Sequence, residues 1–132
     1  FRQFPRHERL LYSGIMTSAA DILIGLVALL HLCFLVLEMY YWDKPLGLKI
    51  FAHGRDFARA SRVLAMNQGL YNGFLAAGLA WGLLLGEAGY SIKLFFLGCV
   101  IIAGVFGGLT ASRTILLVQA LPAAIALIVL VL

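Results

Sequence analysis

Apolar residues gather in long uninterrupted runs, at about residues 19–41, 63–85, 92–109 and 114–132. Short polar stretches separate them. A helix of about 20 mostly apolar residues crosses about 30 Å of hydrocarbon, and all of these runs approach or reach that length. None shows the ten-residue alternation of a barrel strand, so helix is the predicted element. The pattern predicts an all-α fold: a four-helix transmembrane bundle, antiparallel and up-down, with one longer loop between helices 1 and 2.

The breaks support that topology. Gly86-Glu87-Ala88-Gly89 joins the second and third runs, and Thr110-Ala111-Ser112-Arg113 joins the third and fourth. Connections this short make sequential helices antiparallel neighbours. Only the first connection, residues 42–62, is long. It follows the aromatic cluster Met39-Tyr40-Tyr41-Trp42, which suits a lipid–water boundary. It carries Lys44, Lys49, Arg55, Arg59 and Arg62 against Asp43 and Asp56. Leu46, Leu48, Ile50, Phe51 and Phe57 give it enough apolar surface for a short amphipathic piece lying on the membrane. Positive residues stay on the cytoplasmic side, which predicts a cytoplasmic first loop and external termini. Arg2, Arg6 and Arg9 in the amino-terminal segment argue for the opposite orientation. Residues 1–15 are polar and basic and read as an upstream extension ahead of a single domain at 16–132. No signal-peptide cleavage pattern follows them.

Composition sharpens the picture. Of 132 residues, 63% are hydrophobic and 12% charged. Soluble domains run near half apolar and a quarter charged, so lipid is the solvent that suits this chain. The net charge of +4 sits in the tail and the first loop, at the membrane flanks. It forms no nucleic-acid stripe, and no nucleic-acid partner is expected. Cys33 and Cys99 lie inside apolar runs and read as small packing residues.

Small residues predict close helix contact. Gly69, Gly73, Ala76 and Ala80 share one face of the second helix, and Gly78, Gly82 and Gly86 share another. Gly104, Gly107 and Gly108 lie in the third. Rows of this kind let backbones approach, and two such faces suit a helix with neighbours on both sides.

Polar groups inside the spans carry the candidate chemistry, because ionisable side chains in hydrocarbon usually face a bundle interior. His31 and Glu38 are seven residues apart, on nearly one face and about 10 Å apart along the axis. Asp21 lies toward the opposite end of that helix. Asn67, Gln68, Tyr71 and Asn72 fall within an arc of about 140° at about 100° per residue. Arg113 opens the fourth span and Gln119 lies deeper, just ahead of Pro122. Topology puts His31, Glu38, Asn67, Gln68, Tyr71, Asn72, Arg113 and Gln119 in one half of the bundle. The expected binding set is these eight residues around a shared polar cavity open to the first-loop side, with Glu38 and Arg113 as the natural charge pair. Each has a duller explanation too: amides and phenols glue membrane helices, and arginine snorkels to headgroups.

Cofactor chemistry finds little support. His31 is the one histidine in a span; His7 and His53 lie outside, so bis-histidine haem ligation is not expected. One His and one Glu make neither a zinc nor a di-iron site. No phosphate loop or nucleophile motif occurs. No metal or cofactor is expected.

The run Asn67-Gln68-Gly69-Leu70-Tyr71-Asn72-Gly73-Phe74-Leu75-Ala76-Ala77-Gly78-Leu79 is distinctive. With Leu29-Leu30-His31, Leu37-Glu38-Met39 and Val118-Gln119-Ala120-Leu121-Pro122-Ala123, it resembles a family of small bacterial and fungal membrane proteins, the domain of unknown function thirteen-oh-four. The likeness covers about residues 17–132. It implies a four-helix membrane fold and no activity. The functional expectation is therefore a membrane protein that binds a small solute or lipid headgroup as a transport or efflux component, working as a homodimer. Two alternatives stand beside it. One is a membrane-embedded enzyme using Glu38 and His31 as acid and base on a lipophilic substrate. The other is an accessory subunit of a larger membrane complex.

Overall fold

A computed structural model describes residues 5–132. Among them the chain is all-α, with no strand. Helix α1 is Arg6–Val36 and runs on through a π-turn at Leu37–Tyr41. Helix α2 is the short Pro45–Ile50, and α3 is Arg55–Leu84. A 3₁₀ turn, Gly86–Gly89, leads into α4, Tyr90–Thr110. Helix α5, Arg113–Ile115, passes through a second π-turn, Leu116–Ala120, into α6, Leu121–Val131.

Two helices start earlier than hydropathy predicts. Residues 6–15 continue α1 upstream, so the described part of the expected extension is helical and joined to the first run. Arg2, which bears on orientation, lies outside the described residues. Helix α3 begins at Arg55, inside the expected loop. Arginine, alanine and leucine are good helix formers, and Glu8 and Asp56 sit in first turns, where the helix dipole favours a negative charge.

The rest of the first connection is a compact cap. Pro45 pre-sets the first turn of α2, and Gly47 lies so close to the Tyr41 carbonyl that a side chain there would strike it. The Trp42 ring packs 4.8 Å from Phe51 and 4.2 Å from His53. His53 Nε2 donates to the Trp42 carbonyl at 3.0 Å, and Trp42 Nε1 donates to Ser61 Oγ at 3.0 Å.

Contacts fix the packing. Gly69 faces Met39 and Glu38, Gly73 faces Leu35, and Gly25 meets Leu83, so α1 and α3 are antiparallel. Gly78 meets Phe96 and Gly82 meets Lys93, which sets α4 antiparallel to α3. Gly104 meets Ala120 and Gly107 meets Ile115, which turns the last run back along α4. Helix α6 closes the circuit against α1. Helix α3 thus lies between α1 and α4, and its two small-residue faces meet different neighbours. Ile24, Val27, Leu79, Leu97, Val100, Ala123 and Ala126 form the buried core between them.

Three segments are long and apolar enough to cross a membrane: Arg6–Tyr41, Gly86–Thr110 and Arg113–Val131. The first, at 36 residues, extends about 54 Å and overreaches a hydrocarbon core of about 30 Å. Helix α3 has 30 residues but is not among the three. Asn67, Gln68 and Asn72, together with its glycines, dilute its apolarity. The wide apolar surface, including Leu29, Phe95, Ile102 and Phe106, is the kind that faces lipid or a partner.

Candidate functional site: polar pairs along the first helix

Each of three polar residues on α1 is paired with a different partner helix. Glu38 Oε2 accepts from Asn72 Nδ2 of α3 at 2.7 Å. His31 Nε2 accepts from Gln119 Nε2 of the second π-turn at 3.3 Å. Asp21 Oδ1 accepts from Lys93 Nζ of α4 at 3.0 Å. His31 is fully buried, and Asn72 and Lys93 nearly so. The apolar core fills the levels between Asp21 and His31.

Geometry assigns the histidine its roles. Nδ1 lies 2.8 Å from the Val27 carbonyl, which can only accept, so Nδ1–H donates there. Nε2 is then the acceptor for the Gln119 amide. Both ring nitrogens are engaged within the protein. Among the described residues, no buried side-chain nitrogen or oxygen lacks a hydrogen-bond partner. Groups buried in hydrocarbon must be satisfied this way, because an unpaired one costs several kcal/mol, of order 2–7.

The π-turns hold two of these side chains: Glu38 in Leu37–Tyr41 and Gln119 in Leu116–Ala120. A π-turn re-aims the residues it carries and recurs at functional sites. The second has a visible cause. Pro122 has no N–H for the Val118 carbonyl, and just ahead of it the helix widens so that the Leu121 N–H reaches the Leu116 carbonyl, five residues back.

Of the eight residues expected around one cavity, the structure pairs His31 with Gln119 and Glu38 with Asn72. The other four do not join them. Asn67, Gln68, Tyr71 and Arg113 are exposed on the outer surface. Asn67 Nδ2 donates to the Val63 carbonyl of its own helix at 3.1 Å. The expected Glu38–Arg113 pair does not form: Asn72 holds the carboxylate, and the ion pairs among the described residues are Arg62–Asp43 and Lys93–Asp21. An arc of about 140° is too wide for one helix to bury against one neighbour, so α3 turns Asn72 inward and leaves Gln68 and Tyr71 outside.

Sequence reasoning missed Lys93. Its signal was present, since a lysine inside the third run and an aspartate inside the first both fall toward the end opposite the first loop. No three His, Cys, Asp or Glu side chains come together as metal ligands among the described residues.

An all-α chain with three helices long and apolar enough to cross a membrane, and with internal polar pairs, is compatible with a helical membrane protein. Comparison with known proteins makes this specific. The chain belongs to the family described as "Protein of unknown function (DUF1304)", whose model matches residues 25–131. It is similar to "Uncharacterized protein YpaA" of Lactococcus lactis subsp. lactis (strain IL1403), at 32% identity over 115 residues, covering 86% of this chain and 97% of that protein. No solved structure matches the chain.

Proposed function

We propose that this chain is a four-helix transmembrane protein that binds a small solute or lipid headgroup within the membrane, as a transport or efflux component. Helix α3 is the fourth span in this reading, its polar groups turned to α1 or held near the first-loop boundary. The bacterial inner membrane, with the basic first connection on the cytoplasmic face, suits the positive-inside pattern. The observation that carries the binding role is the seating of Glu38 and Gln119 on π-turns, each bonded to a buried partner. Four polar side chains there would otherwise be costly in lipid. Their chemistry is one carboxylate, two amides and one imidazole, with no buried cation in that half among the described residues. Such a set favours a ligand bearing an amine, which would open the pairs and take over their hydrogen bonds.

The test is retention of a lipophilic cation, ethidium, by cells producing the chain. Production should lower ethidium accumulation, and Asn72→Leu and Gln119→Leu should restore it at equal protein level. Accumulation that ignores both substitutions would remove the transport reading.

The acid–base alternative gains nothing from the geometry, since neither ring nitrogen of His31 is free. The assembly alternative has an observation of its own. Asn67, Gln68 and Tyr71 face outward from α3, and amides facing lipid seek partners. A second copy supplies matching donors and acceptors. Disulfide trapping of Asn67→Cys in native membranes should give dimers, and monomers alone would count against a homodimer.

A further inference from the structure

A hollow of about 820 Å³ opens at the Asp21–Lys93 end, away from His31 and Glu38. That volume lies within the usual range for ligand pockets, about 300–1,000 Å³. The first turns of α1 overhang it. Its wall is lined in part by Glu8, Glu87, Arg9 and Lys93, with Tyr12 and Tyr90. Lys93 is already bound to Asp21, so among the described residues the wall offers one arginine and two glutamates. An anionic headgroup would meet those carboxylates. A zwitterion matches them, with its phosphate on Arg9 and its ammonium on Glu8 or Glu87.

A second hollow, of about 230 Å³, follows between α1 and α6 and is almost wholly apolar. On α1 the lining passes from Thr17 and Ala20 to Leu23, Leu26 and Val27, in helical steps of three and four. On α6 it passes from Val129 to Ile125 and Leu121, in steps of four. The seam from Thr17 to Val27 is about 15 Å long. A chamber whose apolar wall carries charged groups, with a separate apolar hollow further along the same two helices, suits the two ends of one amphiphile.

We infer that this chamber and seam hold a zwitterionic lipid, its headgroup among Arg9, Glu8 and Glu87 and an acyl chain along the α1–α6 seam. The inference rests on the membrane-spanning reading and is independent of any ligand at His31. The experiment is native mass spectrometry of the full chain in detergent with equal phosphatidylethanolamine and phosphatidylglycerol. One phosphatidylethanolamine per chain should be retained, at about tenfold preference, which is about 1.4 kcal/mol. Arg9→Ala and Glu87→Gln, both at exposed positions, should each lower retention about tenfold. Thr17→Trp should narrow the chamber where it turns toward the seam and lower retention while helical circular dichroism stays unchanged. Soluble phosphoethanolamine at the same concentration should not displace the lipid; if it did, the seam would have no part in binding. Equal retention of phosphatidylglycerol, no retained lipid, or parental retention by Thr17→Trp would overturn the inference. A chain that stays folded and monodisperse without detergent would instead remove the membrane reading beneath it.

Discussion

Removing Asp21 should destabilise the protein more than removing Lys93, although both substitutions delete the same ion pair. The Lys93 side chain is 3% exposed and that of Asp21 is 36% exposed, with 3.0 Å between the charged atoms. Asp21→Leu leaves a buried ammonium without its carboxylate, and breaking a buried pair from one side costs about 3–5 kcal/mol. The Lys93 stem can bend toward the nearby chamber, which places the expected loss at the low end, about 3 kcal/mol. Lys93→Met fills the space with an apolar side chain of similar length. It leaves an aspartate whose side chain is already 36% exposed, so the loss should be about 1 kcal/mol. The double variant, with no charge left, should lie within about 1 kcal/mol of the parent. The assay is equilibrium unfolding of the full chain in mixed micelles, followed by helical circular dichroism across the four proteins of the cycle. Equal losses from the two single variants would refute the reasoning, as would a double variant no more stable than Asp21→Leu.

Other substitutions probe separate contacts. A Cβ at Gly104 would lie 2.6 Å from the Ala120 nitrogen, so Gly104→Leu should lower stability by about 1–3 kcal/mol, whereas Gly98→Ala, with nothing within 4 Å, should be neutral or stabilising in the same unfolding assay. Gln119→Leu with His31→Leu should show a coupling of about 0.6 kcal/mol in a double-variant cycle, the usual size for a hydrogen bond between membrane helices. Ser112 Oγ accepts from the Thr114 N–H at 3.3 Å at the start of α5, so Ser112→Ala should cost about 0.5–2 kcal/mol and raise hydrogen exchange at residues 113–115.

The helices were legible from the chain because apolar runs of this length have few other uses. Their ends were not. Residues 6–15 and 55–62 are helical, yet their arginines, with Glu8 and Asp56, look like loop or tail to a hydropathy reading. The polar residues were legible as an unusual set, and their pairings were only partly so. Helical spacing told that His31 and Glu38 share a face; it could not tell that α3 would serve one and the last run the other. Gln68 and Asn72 are about 40° apart around their helix, yet one is exposed and the other buried. That difference is set by where α1 sits, which no local pattern encodes. Lys93 escaped notice because a single lysine near a span end resembles a snorkelling one until its carboxylate is located across the fold.

The central claim is that α3 crosses the membrane and turns Asn72 toward α1. Spin labels placed singly at residues 55–84, after replacement of Cys33 and Cys99 by alanine, test it through their relative access to oxygen and to a water-soluble nickel chelate. High oxygen access at Leu70, Phe74 and Trp81, with minima at Gly69, Asn72, Ala76 and Leu79 and chelate access limited to the first turns, is the predicted profile. Chelate access along the whole helix, or an oxygen maximum at Asn72, would contradict it.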